Sequence, residues 1–237
     1  MSRGFKIGVL AAAVMAVAPA AQAFEAGDFV VRGGAVHVAP DDSSDSIMLQ
    51  NGGGDLLGTD TKVQVDSNTQ LGIRASYMFT DSLGLGLLAA TPFKHNITAD
   101  ANHAADGAKI AETKHLPPTL TLQYFPMPSS SAFQPYAGVG VNYTIFFDEQ
   151  TTGALNQTLN VDSSKLELDD SVGVAVEVGM DYMLNDNFGL NAAMWWADID
   201  TDAQVTAYNN GSQAAQTEEF EVQIDPMVYM IGMTYKF

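Results

Sequence analysis

Stepping back two residues at a time from Phe237, the end of the chain separates into two faces. Phe237, Tyr235, Met233, Ile231, Tyr229 and Met227 fall on one. Lys236, Thr234, Gly232, Met230 and Val228, smaller and partly polar, fall on the other. Period-two alternation marks a β-strand with one apolar face. Aromatics at both ends of the apolar row match the girdles that flank the outward band of a transmembrane barrel strand. This pattern constrains the fold more than any other. The chain is 46% hydrophobic, yet beyond its first residues no run of 18 apolar residues occurs, so a bundle of membrane helices is excluded.

The same alternation recurs along the chain. A first strand is read at Asp28–Val38, where Val30, Val36 and Val38 share a face with Arg32 and leave the parity open. Gln70–Phe79 sets Leu71, Ile73, Ala75, Tyr77 and Phe79 on one face. Leu83–Ala90 does the same with Leu83, Leu85 and Leu87. Further strands are expected at Thr119–Phe125, Tyr136–Phe147, Val172–Tyr182 and Phe188–Ala197. The eighth runs from Glu218 to Phe237. Its parity flips around Asp225-Pro226, where a bulge or bend is expected because proline cannot donate to a ladder. Long loops are expected over 41–68 (around Gly52-Gly53-Gly54, and mobile), 94–115, 148–170 and 206–217. Short turns are expected near 80–82, 126–131 and 185–187. Long connections at one end and short ones at the other are the asymmetry of outer-membrane barrels. A spanning sheet cannot leave its edges unpaired, so the first strand must close on the last. The expected fold is therefore all-β, a single eight-stranded antiparallel transmembrane barrel over 24–237, with both termini periplasmic.

Residues 1–23 are read as a secretory signal peptide. Arg3 and Lys6 precede an apolar core, and Ala21-Gln22-Ala23 forms a small-x-small cleavage site. The formal net charge is −18, from 28 acidic against 10 basic residues, which argues against a nucleic-acid partner. There is no cysteine, hence no disulfide framework.

Parity also assigns the lumen. If Leu83, Leu85 and Leu87 face lipid, Leu88 faces in; if Leu190, Met194 and Trp196 face lipid, Trp195 faces in. Met78, Tyr136 and Phe146 join the lining by the same rule, with Arg74, Glu177, Asp181 and Lys236 as its few charges. A barrel of eight strands is wide enough to be filled by its own side chains or to hold one small ligand. No catalytic residue, cofactor or metal site is expected. His37, His95, His103 and His115 stand outside any nucleophile or zinc motif. The acidic clusters Asp41/Asp42/Asp45, Glu167/Asp169/Asp170 and Glu218/Glu219/Glu221 lack calcium-loop spacing and read as solvated loop surface rather than as divalent-cation bridges to lipopolysaccharide.

Several words spread over the chain resemble the outer membrane protein W (OmpW) family. They are Glu25-Ala26-Gly27-Asp28-Phe29, Asn68-Thr69-Gln70-Leu71-Gly72 and Leu87-Leu88-Ala89-Ala90-Thr91-Pro92-Phe93. His115-Leu116-Pro117-Pro118-Thr119-Leu120, Pro135-Tyr136-Ala137-Gly138-Val139-Gly140-Val141-Asn142-Tyr143-Thr144, Asp198-Ile199-Asp200-Thr201 and Tyr235-Lys236-Phe237 continue the match. Segments 41–67 and 149–170 match poorly, and Lys114 stands where the family often has a second histidine, so no paired-histidine role is carried over. The resemblance implies a gram-negative outer-membrane barrel with a narrow hydrophobic lumen, associated with passage of small hydrophobic molecules. On that footing the expected function is a hydrophobic channel constricted by Leu88 and Trp195. Release sideways into the membrane would avoid exposing the solute to water at about 0.8 kcal/mol per CH₂. Pro92, Pro117, Pro118, Gly138 and Gly140 are the residues expected to weaken the wall for it. The alternative is a plugged structural or adhesion barrel acting through its loops. The expected partners are outer-membrane lipid, lipopolysaccharide and a small hydrophobic solute; the oligomeric state is left open.

Overall fold

A computed structural model describes residues 23–54, 56, 62–100 and 106–237. The expected signal peptide lies outside the described residues except for Ala23, as does His103. The strands are β1 (Phe29–Ala39), β2 (Ser43–Ser44), β3 (Lys62–Val65), β4 (Asn68–Met78), β5 (Leu83–Ala90), β6 (Phe93–Asp100), β7 (Lys109–Leu116) and β8 (Thr119–Tyr124). They continue with β9 (Phe133–Thr151), β10 (Ser163–Leu168), β11 (Ser171–Met183), β12 (Phe188–Ala197), β13 (Asp200–Asn209), β14 (Ser212–Gln216), β15 (Phe220–Gln223) and β16 (Met227–Lys236). Among the described residues one α-helix occurs, α1 (Gly153–Leu159), about two turns long and lying between β9 and β10.

Eight of these strands close into an antiparallel barrel in the order β1-β4-β5-β8-β9-β11-β12-β16. The ring is completed by the pairing of β1 with β16, from Val30↔Lys236 to Ala39↔Met227. Closure leaves neither the first nor the last barrel strand as an open edge. The alternation read from the sequence sets the orientation. Leu71, Ile73, Val139, Val172, Ile231 and Met233 stand more than half exposed on the outer wall, or nearly three-quarters for Leu71, Val172 and Ile231. A soluble monomer does not present an apolar band of this extent. Tyr77, Phe79, Tyr124, Phe188 and Phe237 ring one end, and Tyr143, Trp196 and Tyr229 the other. The parity of β1 is settled by Arg32, which is fully buried with Val30, Val36 and Val38.

The end bearing the long connections is more ordered than a set of loops. The stretch expected as a loop at 94–115 is largely the β6–β7 hairpin, with Phe93 opposite His115. Phe93, His95, Ile97 and Ala99 point inward while Lys94, Asn96, Thr98 and Asp100 point outward. β3 joins β6, so 41–68, expected to be a mobile loop, contributes two strands and a 3-10 turn at Gln50–Gly52. β9 runs on past the barrel to pair with β7, and 148–170 holds the end of β9, α1 and β10. The hydroxyl of Thr152 caps α1 by accepting from the Leu155 N–H. A second sheet, β10-β13-β15-β2 with β14 on β13, covers 206–217. Residues 218–224, expected as the start of the last barrel strand, lie instead in that second sheet, where Phe220 pairs with Ala203. The parity flip is real, but it marks a change of sheet: Asp225 takes a left-handed φ of 34°, and Pro226 starts the chain back into the wall. Several of these strands were hidden because they pair across long stretches of chain, as β10 does with β13 and β2 with β15.

Candidate functional site

The interior has two halves of opposite character. Towards the short-turn end it is filled by polar and charged side chains. Arg32 and Arg74 stand in register on neighbouring strands, where two cations repel. Each is answered from β11. Asp181 receives Arg32 Nε at 3.0 Å and Nη2 at 2.8 Å, and Glu177 receives Arg74 Nη2 at 2.5 Å; all four side chains are fully buried. β4 and β11 are four strands apart in either direction around the ring, so the Arg74–Glu177 pair crosses the whole diameter. Tyr136 Oη accepts from Arg74 Nη1 at 2.8 Å and from Asn191 Nδ2 at 3.1 Å, and Gln123 Nε2 donates to Glu177 at 2.7 Å. Aromatic faces complete the network: Arg74 lies 4.9 Å from the Tyr136 ring centre and 5.2 Å from that of Trp195. Below it Met78, Phe24 and Phe125 close the turn end, the two phenylalanines packed edge to face at 5.4 Å.

The lining was expected to be largely uncharged along a thin bore. That holds for the loop-end half alone, because an eight-stranded interior is too narrow to keep water between four charges, and they meet directly. Arg32 and Asp181 are the pair that sequence parity left unassigned or in the background. Two glycines are required by close approaches, one to the plug and one to the backbone of the neighbouring strand. A Cβ on Gly138 would sit 2.6 Å from Glu177 Oε1, and one on Gly140 would sit 1.8 Å from the Leu120 carbonyl oxygen.

Above the plug the interior turns apolar. A small cavity of about 20 Å³ is lined by Leu88, Trp195, Val36, Phe93, Pro117 and Pro226 among others. The two residues expected to form a constriction thus share one cavity. A larger one, about 50 Å³, lies at the loop end between Ile47, Ile97, Ile110, Phe146, Leu155, Val205 and Phe220. Of the expected lining residues, Phe146 belongs here, Tyr136, Arg74 and Glu177 belong to the plug, and Met78 lies at the far end. His115 borders both cavities.

The wall beside the smaller cavity is interrupted. The β5–β8 ladder ends at Leu88↔Thr119, and the β6–β7 ladder begins at Phe93↔His115. Between them Ala89–Pro92 and Leu116–Pro118 make no ladder pair with each other, though Ala89 and Ala90 still pair with β4 and Leu116 with β9, and three of the seven are prolines that cannot donate. On the far side the strand remains tied, since Pro118 O accepts from Tyr143 N at 3.0 Å. Pro92, Pro117 and Pro118 are therefore brought together at one break. Gly138 and Gly140 are not part of it: both sit in unbroken ladders with β8 and β11.

Among the described residues one set of carboxylates converges, Asp198, Asp200 and Asp225, with ligand atoms within 4.8 Å of one another. It is none of the three clusters marked by the sequence. Partial burial, then the neighbouring Asp225 and Asp198 charges, push the Asp200 carboxyl above its usual range. His37 Nδ1 lies 2.8 Å from Thr69 Oγ1 at the exposed rim.

The family model described as the OmpW family matches residues 25–237. This chain belongs to the OmpW family. Outer membrane protein W of Vibrio cholerae is 45% identical over 227 residues, covering 95% of this chain and 96% of that one. Outer membrane protein W of Escherichia coli is 40% identical over 233 residues, covering 98% and 99%. Among solved structures, the outer membrane protein OprG from Pseudomonas aeruginosa superposes with a TM-score of 0.80 at 46% identity, over 92% of this chain and 99% of that one. The oily outer band is thus the lipid-facing surface of an eight-stranded barrel of the bacterial outer membrane.

Proposed function

We propose that this OmpW-family barrel takes up small hydrophobic molecules, which enter among the strands of the loop end, pass the Leu88–Trp195 level and leave sideways into the membrane. The observation that carries the reading is the stacking of apolar cavities on a closed, charged floor, with the wall unpaired beside them. A straight path to the turn end would require a solute to part the Arg74–Glu177 pair, and separating a buried ion pair costs several kcal/mol. The gap at Ala89–Pro92 and Leu116–Pro118 offers an exit that keeps the solute among apolar groups. In this reading both termini and the short turns are periplasmic, the outer wall contacts lipid and the loop end contacts lipopolysaccharide. The protein is a conduit and not an enzyme.

The second reading is a plugged barrel that works through its loops as a structural or adhesive element. It is favoured by the small size of the cavity at Leu88 and Trp195, about 20 Å³, little more than one water requires. Uptake of labelled n-octane by cells carrying Leu88→Ala, Trp195→Ala or Ala90→Trp separates the two. Ala90 lines the smaller cavity next to the break, so a tryptophan there should obstruct the exit. The conduit reading expects faster uptake from the alanine variants and slower uptake from Ala90→Trp. Equal uptake by all, including cells without the protein, leaves only the plugged barrel.

A further inference from the structure

The larger cavity is apolar except for a few side chains, and their hydrogen bonds sort them. Thr151 and Thr201 direct their hydroxyls to the backbone carbonyls of Ser164 and Asp169, at 2.8 and 2.7 Å. Thr113 donates, more weakly, to Lys114 O at 3.4 Å. The two histidines differ. His95 and His115 are almost wholly buried, their rings 4.7 Å apart, and the Nε2 atom of each has no partner among the described residues. A buried polar atom left unmatched in an apolar site costs stability, and such atoms in folded proteins call for an explanation.

The tautomer of His95 follows from its other nitrogen. Nδ1 is hydrogen-bonded to the Asp66 carbonyl oxygen, which can only accept, so Nδ1 carries the proton and Nε2 keeps an unmatched lone pair on a ring that lines the cavity. Burial lowers the pKa of both rings, that of His115 to about 3 with help from His95, so both stay neutral at ordinary pH. A neutral acceptor beside a second imidazole, in a cavity several times larger than one water requires, asks for a ligand with an apolar body and one O–H.

We propose that His95 and His115 form the polar end of a ligand site in the loop-end cavity, selecting hydrophobic molecules that carry a hydroxyl group. The hydroxyl donates to His95 Nε2 and offers its lone pairs to His115, while the aliphatic tail lies against Ile97, Ile110 and Phe146. A ketone supplies no donor for His95, and an alkane supplies nothing for either ring. This inference rests on the conduit reading, since it assumes that the cavity admits solutes.

The test uses the full mature protein in lipid nanodiscs with ¹⁵N-labelled histidine, titrated with 1-hexanol, 2-hexanone and n-hexane. The expected result is that hexanol alone moves the His95 Nε2 resonance towards its hydrogen-bonded position. His95→Phe, which keeps a flat ring without the acceptor, should lower the preference for hexanol over hexane about tenfold, the worth of one hydrogen bond. If hexane perturbs the cavity as strongly as hexanol, or if the preference survives in His95→Phe and His115→Phe, the histidine site is overturned and the conduit stands. If no probe perturbs the cavity, both fall. The wild-type comparison of the three probes decides the matter even if neither variant folds.

Discussion

Replacing Asp181 with asparagine tests the charged floor directly. Asp181 accepts from Arg32 through Nε and Nη2, from Asn191 Nδ2 at 3.0 Å and from the Thr234 hydroxyl, all with no exposure of the Arg32 or Asp181 side chain. Asparagine keeps the shape and removes the charge, leaving the Arg32 cation without its counter-ion. Breaking a buried pair in this way costs about 3–5 kcal/mol. Arg32 keeps the Ser76 hydroxyl at 2.8 Å and the faces of Phe24 and Tyr136 at 5.5 and 5.3 Å, which places the cost near the low end, about 3 kcal/mol. That is a change of about a hundredfold in the folding equilibrium constant. Urea unfolding in lipid vesicles, followed by tryptophan fluorescence and by the heat-modified shift on gels, measures it. The double variant Arg32→Met/Asp181→Asn removes both charges and should recover about 2 kcal/mol relative to the sum of the single changes. A loss below about 1 kcal/mol for Asp181→Asn, or strict additivity in the double variant, would refute the claim that this pair carries the plug.

Two further outcomes follow from local geometry. Gly140→Ala puts a methyl against the backbone of Leu120 at 1.8 Å, so β8 and β9 must part; a loss of about 3 kcal/mol or more, or failure to fold, is expected on the same gels. Gly33→Ala, where nothing lies within 4 Å, should change stability by less than about 0.5 kcal/mol; equal effects at the two positions would discredit the close-approach argument. The β6–β7 hairpin should loosen in acid. The unfolded histidine takes up its proton near pH 6.5, whereas buried His115 resists until about 3, so stability falls as pH drops through that window, by up to about 1.4 kcal/mol per unit. Amide hydrogen exchange in β6 and β7 at pH 7 and pH 5 reports this. His115→Phe should remove most of the difference, and protection unchanged between the two pH values counts against it.

The strands of the wall were legible because a barrel wall imposes one rule on every residue. Lipid on one side and a narrow interior on the other force alternation, and β4, β5, β11 and β16 display it without interruption. The loop-end strands follow the same period, as Phe93, His95, Ile97 and Ala99 do, but their outward residues are polar or charged and lack the apolar band that lipid imposes on the wall, so they read as loops. Arg32 on an otherwise apolar face hinted at a buried counter-charge without naming it. The proline break was half visible: Pro92 and Pro117-Pro118 marked weak donors, but only the two ladder ends show that they face each other.

The period-two pattern by itself determined the class of fold, which residues meet lipid, and which of Leu88, Trp195, Arg74 and Glu177 turn inward. Tertiary structure alone decided what meets across the lumen. Parity is a local property of one strand. The approach of β4 to β11 over the ring, and of His95 to His115 above it, depends on closure and register between segments far apart in the chain. That is why the sequence indicated a lined bore, while the folded barrel has a charged floor, apolar cavities above it and, among the described residues, an unpaired seam beside them.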